Sequence, residues 1–393
     1  MQTCKITLSI LTFSTLVAVA DEVPNFSAET LTGGWGGSRA ALYEKGLTLS
    51  GGYKSDFLRI IDGRPSGDGH LVRHLEIGLK ADLGKLWGWQ DTTLFLDFID
   101  DRGDRFNADH VGSALGVSNI EVGHKTAKLF HAWVQKEWDE GRWSLLTGLY
   151  PLDSEFMVID SDTFLISPAY GMSPELAMTN LPSAFNNSTV GGRLKWLSPE
   201  KSFYMQLAVV NGIGEDPEKL SGTHVQFGHG VLSMLEVGYH PPTTGPAEDF
   251  QKYALGTWAY SAKDTLSTPV NERQRWGAYL QGERTLLNVP SLGELTTFAR
   301  HGGAFGGSST ISHTTSVGLR LHGLATGNDV AGVAHTRAKL IGLEAESAWE
   351  VTYRIQVNPW LGIQPNWQRI QNLGGISSAP AVSIAGFRID VLF

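Results

Sequence analysis

From residue 47 to the end of the chain, apolar and polar residues alternate in runs of roughly ten. Leu75, Ile77 and Leu79 share one face, opposite His74, Glu76 and Gly78; Leu94, Leu96 and Phe98 repeat the pattern. Phe203, Met205, Leu207 and Val209 oppose Tyr204, Gln206 and Ala208, and Val317, Leu319 and Leu321 oppose Arg320 and His322. Val351, Tyr353, Ile355 and Val357 oppose Thr352, Arg354 and Gln356, and the chain closes with Phe387, Ile389, Val391 and Phe393 against Arg388 and Asp390. A period of two is the repeat of a β-strand with one apolar face. A soluble sandwich would share it, so the connections must discriminate. Short links at 138–142, 197–202, 287–291, 325–329 and 358–360 alternate with long ones at 100–126, 151–188, 212–230 and 302–313. That parity predicts an all-β transmembrane antiparallel up-and-down barrel of about sixteen strands, with short turns at one rim and long loops at the other.

The residues before the first strand read differently. Lys5, the apolar run 6–17, Ala18-Val19-Ala20 and then Asp21-Glu22 form the pattern of a cleavable export signal, so residues 1–20 are expected to be removed. The only cysteine, Cys4, lies inside it, which excludes disulfides and thiol chemistry from the mature chain. Residues 21–46 are expected to form an N-terminal periplasmic segment tucked against the barrel, with the barrel itself spanning 47–393. In that segment Thr32 or Ser38 is placed to cap a short helix running through Lys45, ended by a left-handed Gly46.

Composition sharpens this picture. Hydrophobic residues make up 41% of the 393, an average that suits alternating lipid-facing and lumen-facing positions. Beyond residue 20 no apolar run is long enough for a spanning helix, so a membrane location requires a closed barrel. Trp87, Trp89, Trp138, Trp143, Trp196 and Trp360 fall near expected short turns, as an interfacial girdle would. The terminal Phe393 is the usual close of bacterial outer-membrane barrels, which makes the barrel-assembly machinery an expected partner, alongside outer-membrane lipid and lipopolysaccharide. A net charge of −9 with no basic stripe excludes nucleic acid.

A channel does its work at its narrowest point. The longest loop, 151–188, is expected to fold into the lumen and to form the constriction with Asp153, Glu155, Phe156, Asp160, Asp162, Phe164, Tyr170, Glu175 and Phe185. By alternation the wall is lined by His74, Glu76, Asp97, His131, Trp133, Arg193, Glu236, Tyr279, Glu283, Arg320, Arg354 and Arg388, together with Lys195. Carboxylates and arginines hydrogen-bond hydroxyls, and aromatic faces stack on the C–H face of a sugar ring. A row of arginines across from loop carboxylates would set up a transverse field. Asp100-Asp101-Arg102-Gly103-Asp104 offers oxygens to Ca²⁺ on an external loop but lacks the spacing of an EF-hand, so no cofactor is expected. No nucleophile elbow or His-Glu-x-x-His motif is present, and no enzyme is expected. The alternatives are a general or ion-selective diffusion porin and, in a different class, a soluble periplasmic sugar-binding or glycoside-hydrolysing β-protein.

Several stretches carry a family resemblance. Leu31-Thr32-Gly33-Gly34-Trp35-Gly36-Gly37-Ser38-Arg39 with Leu42 and Lys45-Gly46-Leu47 resembles the N-terminal signature of carbohydrate-selective porins of the OprB type. Residues 163–187 with their Ser-Pro-Ala-Tyr-Gly-Met-Ser-Pro-Glu-Leu-Ala core, Val190-Gly191-Gly192, and 350–368 with Asn358-Pro359-Trp360-Leu361 are similar to the same family. The resemblance implies a sixteen-stranded barrel in the outer membrane of a Gram-negative bacterium that passes glucose and similar sugars.

Overall fold

A computed structural model describes residues 23–393 except 66, 180, 216–218, 220, 243–249, 262–274, 290–292 and 307–309. The expected export signal, with Cys4, lies outside the described residues. Sixteen antiparallel strands form one closed barrel in which every strand pairs with its sequence neighbours and β1 pairs with β16. They are β1 (Leu47–Asp62), β2 (His70–Asp82), β3 (Thr92–Gly103), β4 (Thr126–Trp138), β5 (Trp143–Tyr150), β6 (Thr189–Leu197), β7 (Phe203–Asn211) and β8 (Val231–Tyr239). The second half comprises β9 (Gln251–Tyr260), β10 (Trp276–Val289), β11 (Gly293–Phe305), β12 (Ile311–His322), β13 (Val330–Leu340), β14 (Ala345–Asn358), β15 (Leu361–Gln371) and β16 (Val382–Leu392). Closure leaves no edge, so every strand finds both its hydrogen-bonding neighbours within the wall.

Alternation follows from strand geometry and sorts the two faces. Phe203, Met205, Leu207 and Val209 are exposed on the outer surface while Tyr204, Gln206, Ala208 and Val210 are buried inside. The bulge in β4 interrupts it near the middle of the wall: His131 pairs with Asp97 but Leu129 pairs with Phe98, which turns both Phe130 and His131 inward. Inward glycines make room for rings. A Cβ at Gly238, Gly256, Gly277, Gly318 or Gly332 would sit 2.1–2.4 Å from the rings of Tyr204, Tyr279, Trp258, Phe298 or Phe164 respectively. The abundant glycine of this chain thus serves interior packing as well as turns.

At one rim most turns are tight, the β8–β9 connection at 240–250 being longer; in 139–142 both Asp139 and Glu140 take left-handed φ values of 56° and 58°. Trp138 and Trp143 stack there with centroids 6.3 Å apart, and Trp87 meets Trp89 at 5.9 Å. Loop length does not alternate as strictly as expected. Strands β11 and β12 run through most of the Gly-rich stretch expected as a long loop at 302–313, leaving only 306–310 as the connection, and 341–344 is also short. Glycine marks these positions without breaking the ladder, because Gly302 and Gly303 still pair with Thr314 and His313.

The N-terminal segment carries α1 (Phe26–Glu29) and α2 (Ser38–Glu44). Ser38 is the first helical residue and does not cap it; the cap position is Gly37, at φ 94°, and Thr32 lies upstream. Gly46 is left-handed, at φ 92°. The segment lies on the barrel seam: Leu31 N–H donates to the Leu392 carbonyl at 2.8 Å. Arg39, buried beneath Phe26 and Trp35, donates to the carbonyls of Phe393 (2.7 Å) and Leu49 (2.9 Å), joining the last strand to the first. A further helix, α3 (Leu83–Trp87), occupies the β2–β3 turn, capped by Asp82.

Candidate functional site

Among the described residues, two loops from the long-loop rim fold into the barrel. The loop 151–188, which contains α4 (Pro174–Ala177), docks against the inner faces of β7–β15 through side chains that the wall directs at its backbone. Glu236 accepts from Met157 N–H (3.2 Å), Glu283 from Asp160 and Ser161 N–H (2.9 and 2.8 Å), and Glu350 from Ile166 and Ser167 N–H (2.7 and 3.0 Å). Wall amides supply the complementary half. Gln206, Gln281 and Gln364 donate to the carbonyls of Glu155, Val158 and Phe164, and Arg300 donates to those of Met157 and Ala169. A loop inside a barrel has no strand partner, so its buried peptide groups need such partners or cost about 1–3 kcal/mol each.

The loop 104–125, expected outside, also turns inward. Its Val111, Leu115, Val117 and Ile120 are buried against Leu58, Ile60, Val72, Ile370 and Ile384 of the wall. Glu346 receives Ser113 Oγ–H (2.6 Å) and the N–H groups of Ala114, Leu115 and Gly374, while Gln368 donates to the Val117 carbonyl. The Asp-Asp-x-Gly-Asp run is largely strand: Asp101 faces inward and bonds His74, and Asp100 pairs with Arg102. Among the described residues no cluster of three or more His, Cys, Asp or Glu side chains is arranged to hold a metal.

These docking contacts reassign several residues expected at the constriction. Phe156 packs with Tyr150, Trp258 and Tyr279, and Phe164 packs with Phe298 and Ala334 between loop and wall, whereas Tyr170 packs on Phe298 and still borders the cavity. Glu175 is fully buried, accepting Ser173 Oγ–H at 2.5 Å and lying against Gly302. Glu236, Glu283 and Tyr279 lie beneath the loop; Tyr279 and Tyr204 hydroxyls both donate to Glu236. Their inward direction follows from alternation, whereas their coverage by the loop depends on a contact far away in sequence.

An opening between loop and wall is bounded by β2–β4. A cavity of about 260 Å³ is lined there by His74, Glu76, Phe95, Asp97, Phe130, His131 and Trp133 of the wall. Asp153, Glu155, Asp162, Tyr170 and Phe185 of the long loop, Asn119 and Ile120 of the other inward loop, and Lys54 of β1 complete it. His74 bridges Asp101 (2.7 Å) and Glu76 (3.3 Å), and His131 meets Asp97 at 3.1 Å. Phe95 lies 5.3 Å from Trp133 between ring centroids, and Phe185 stands edge-on to His74 at 5.3 Å and to Phe130 at 5.7 Å. Burial pushes the Asp153 carboxyl up to about 6, although it accepts Phe185 N–H at 3.0 Å. Burial likewise holds Asp162 well above the usual carboxylate range, against the pull of Arg300. Phe95, Phe130, Lys54 and the 119–120 stretch escape sequence reasoning. Phe95 alternates in register with Asp97 and was legible as an inward aromatic; Phe130 required the bulge, and 119–120 the inward fold.

Charge is compensated locally. Arg193 Nε lies 3.0 Å from Glu155, Lys252 Nζ 3.1 Å from Asp160, and Arg388 grips Asp56 at 2.6 and 2.8 Å. The basic side chains thus stand beside the carboxylates, not across from them, so an arginine row facing the loop acids is replaced by adjacent pairs. Arg354 lies 3.5 Å from Asp390 toward the short-turn rim, and Arg320 and Lys195 also face inward, below the loop. The cavity itself presents carboxylates, imidazoles and ring faces, with Lys54 its one lysine or arginine among the lining residues.

Comparison with known proteins places this geometry. The pattern of the Carbohydrate-selective porin, OprB family matches residues 72–393. Porin B of Pseudomonas aeruginosa is 21% identical over 449 residues, covering 96% of this chain and 94% of that protein. The high-pH structure of Pseudomonas putida OprB superposes with a TM-score of 0.81 at 19% identity, over 94% of this chain and 100% of that one. An anion-selective porin from Comamonas acidovorans shares the fold more distantly, with a TM-score of 0.55 at 11% identity over 88% of this chain and 99% of that one.

Proposed function

Because this chain belongs to the carbohydrate-selective porin, OprB family, and is an outer-membrane sugar channel, we propose that it passes glucose and similar monosaccharides by selecting them at the cavity between β2–β4 and the docked loop. The observation that carries this reading is the company the polar groups keep there. Phe95, Trp133, Phe185 and Tyr170 border Asp97, Asp153, Asp162 and His131 in one space. A pyranose has hydroxyls around its rim and C–H groups on its faces. It can therefore exchange water for carboxylate and imidazole partners while a ring covers an apolar face. Each exchange is worth only about 0.5–1.5 kcal/mol, which suits a solute that must leave as readily as it enters.

The remaining parts of the reading follow from this one. Residues 1–20 would direct export and be cleaved, and 21–46 would then lie in the periplasm against the barrel seam. Phe393 would be read by the barrel-assembly machinery before Arg39 engages its carbonyl, and the outward apolar face would contact outer-membrane lipid and lipopolysaccharide. No cofactor or metal is required for diffusion.

Liposome swelling tests the proposal. Glucose should enter faster than an uncharged non-sugar solute of equal size, and equal rates would reduce the protein to a general diffusion pore. Planar-bilayer conductance addresses the ion-selective alternative: strong preference for chloride over potassium would favour it.

A further inference from the structure

The outer face of the barrel carries a feature that sugar passage does not use. Outward positions at the long-loop end of β11–β13 are His301, His313, His335, Arg337 and Lys339. They form one contiguous patch, because His301 pairs with Thr315 and Thr315 with Arg337, while His313 pairs directly with Lys339. Along β13 His335, Arg337 and Lys339 follow one another at every second residue, about 7 Å apart. His301, His313 and Arg337 are exposed, and Lys339 Nζ reaches up to the Leu343 carbonyl at 2.6 Å. Among the described residues no carboxylate stands on the outward face of β11–β14; Glu346 and Glu350 point inward, and the nearest acid is the exposed Glu344 in the turn above.

The same strands turn apolar toward the other rim, where Leu295, Leu319, Leu321, Val333 and Val351 border a groove on the outer surface. Trp349, its ring 4.6 Å from that of His335, lies at the boundary between the two zones. On β7–β9 the outward residues near the same rim are Leu207, Val209, Val231, Ser233, Thr257 and Ala259, whereas β1–β3 carry Arg59, Arg73 and Arg102 there, the last paired with Asp100. A lysine or arginine on the lipid face of a barrel costs about 2–4 kcal/mol at the bilayer midplane and about 0–1 kcal/mol at the interface. Cations without carboxylates are therefore tolerated at this level, and they attract anions that lie in the same plane.

We propose that the outward face of β11–β13 is a docking site for the phosphate groups of outer-leaflet lipid, with Arg337 and Lys339 bridging one phosphate and His313 and His301 flanking it. The apolar zone below receives acyl chains of the same lipid. This rests on the outer-membrane reading above and on charge complementarity: a phosphorylated glycolipid headgroup brings several negative charges to the level of the patch. Arg337 can bind two phosphate oxygens at once, whereas Lys339 acts as a point charge.

Native mass spectrometry of the purified full-length protein in detergent tests it, with bisphosphorylated lipid A as the probe. The protein should retain bisphosphorylated lipid A about tenfold better than the same lipid after enzymatic removal of its phosphates. The double variant Arg337→Ser/Lys339→Ser should lose that preference, and Arg337→Lys should keep part of it. Equal retention of phosphorylated and dephosphorylated lipid by the unaltered protein would overturn the site without recourse to any variant. Displacement of the lipid by inorganic phosphate at equal concentration would likewise overturn it, because the site would then recognise free anion and not lipid. Glucose swelling in phosphatidylcholine vesicles, run on the same preparations, separates the two readings, since these residues face away from the lumen and that rate should not change.

Discussion

Substituting Glu350→Ala tests whether wall carboxylates hold the inward loop 151–188 in place. Glu350 is 1% exposed on β14 and accepts Ile166 and Ser167 N–H at 2.7 and 3.0 Å and Asn366 Nδ2 at 2.7 Å. A buried N–H left without its acceptor costs about 1–3 kcal/mol, so losing the two loop contacts together removes about 2–6 kcal/mol from docking of this stretch. What remains there is Gln364 donating to the Phe164 carbonyl (2.7 Å), Arg300 to the Ala169 carbonyl (3.2 Å), Asn119 donating to the Ile166 (2.7 Å) and Leu165 (3.2 Å) carbonyls, and the packing of Phe164, Leu165 and Tyr170 against Phe298 and Ala334. Losses of that size raise the undocked population of residues 163–170 by orders of magnitude. The barrel ladder is untouched, so heat-modified mobility on gels should stay near that of the unaltered protein. In liposome swelling, a trisaccharide should enter several-fold faster relative to glucose, and the advantage of glucose over an equal-sized non-sugar solute should shrink. Glu350→Gln, which retains one acceptor oxygen, should fall between. An unchanged size limit in a well-folded Glu350→Ala protein would refute the idea that this carboxylate pins the loop.

Other consequences are equally direct. Trp133→Ala should lower glucose permeation several-fold, by removing about 1 kcal/mol of ring contact, while leaving potassium chloride conductance equal or slightly higher; a parallel fall in both would make Trp133 structural. Arg39→Ala removes donors to the Phe393 and Leu49 carbonyls, and the midpoint of heat-induced unfolding should fall by the equivalent of about 2–4 kcal/mol. Burial raises Glu121 to about 7 and Asp153 to about 6, so each carboxyl is neutral over a wider range when its loop is docked. Their contribution to loop stability is full below the ordinary carboxylate range near 4 and is lost as pH rises through about 6 to 7. Protease protection of the loops should follow that course, and Glu121→Gln with Asp153→Asn should flatten it. Gly256→Val would put side-chain atoms where the Tyr279 ring now lies, 2.2 Å from the Cβ position, and should separate Tyr279 from Glu236 with loss of sugar selectivity.

Strand periodicity made the barrel legible because alternate side chains on a strand necessarily face opposite ways, and lipid and lumen demand opposite polarities. His74 against Leu75 and Arg388 against Phe387 carry that information locally, as do the short turns around Asp139 and Pro359. Loop boundaries were less legible: the glycines of 302–313 look like a loop, yet Gly302 and Gly303 remain in the ladder, and the inward Gly302 leaves room for Glu175. The constriction was readable only in part. Acidic and aromatic residues in 151–188 signalled a functional loop, but nothing local distinguishes Asp153, which borders the cavity, from Glu175, which is sealed behind it. That distinction depends on Glu236, Glu283 and Glu350, which capture loop peptide groups from 79 to 184 residues away. The sequence by itself determined which way the side chains of a regular strand point, but not the bulge at 130–131 that turns Phe130 inward beside His131. Only the tertiary structure decided which inward groups remain open to a solute, because a loop folded into a barrel must satisfy its backbone on the wall and thereby covers part of it.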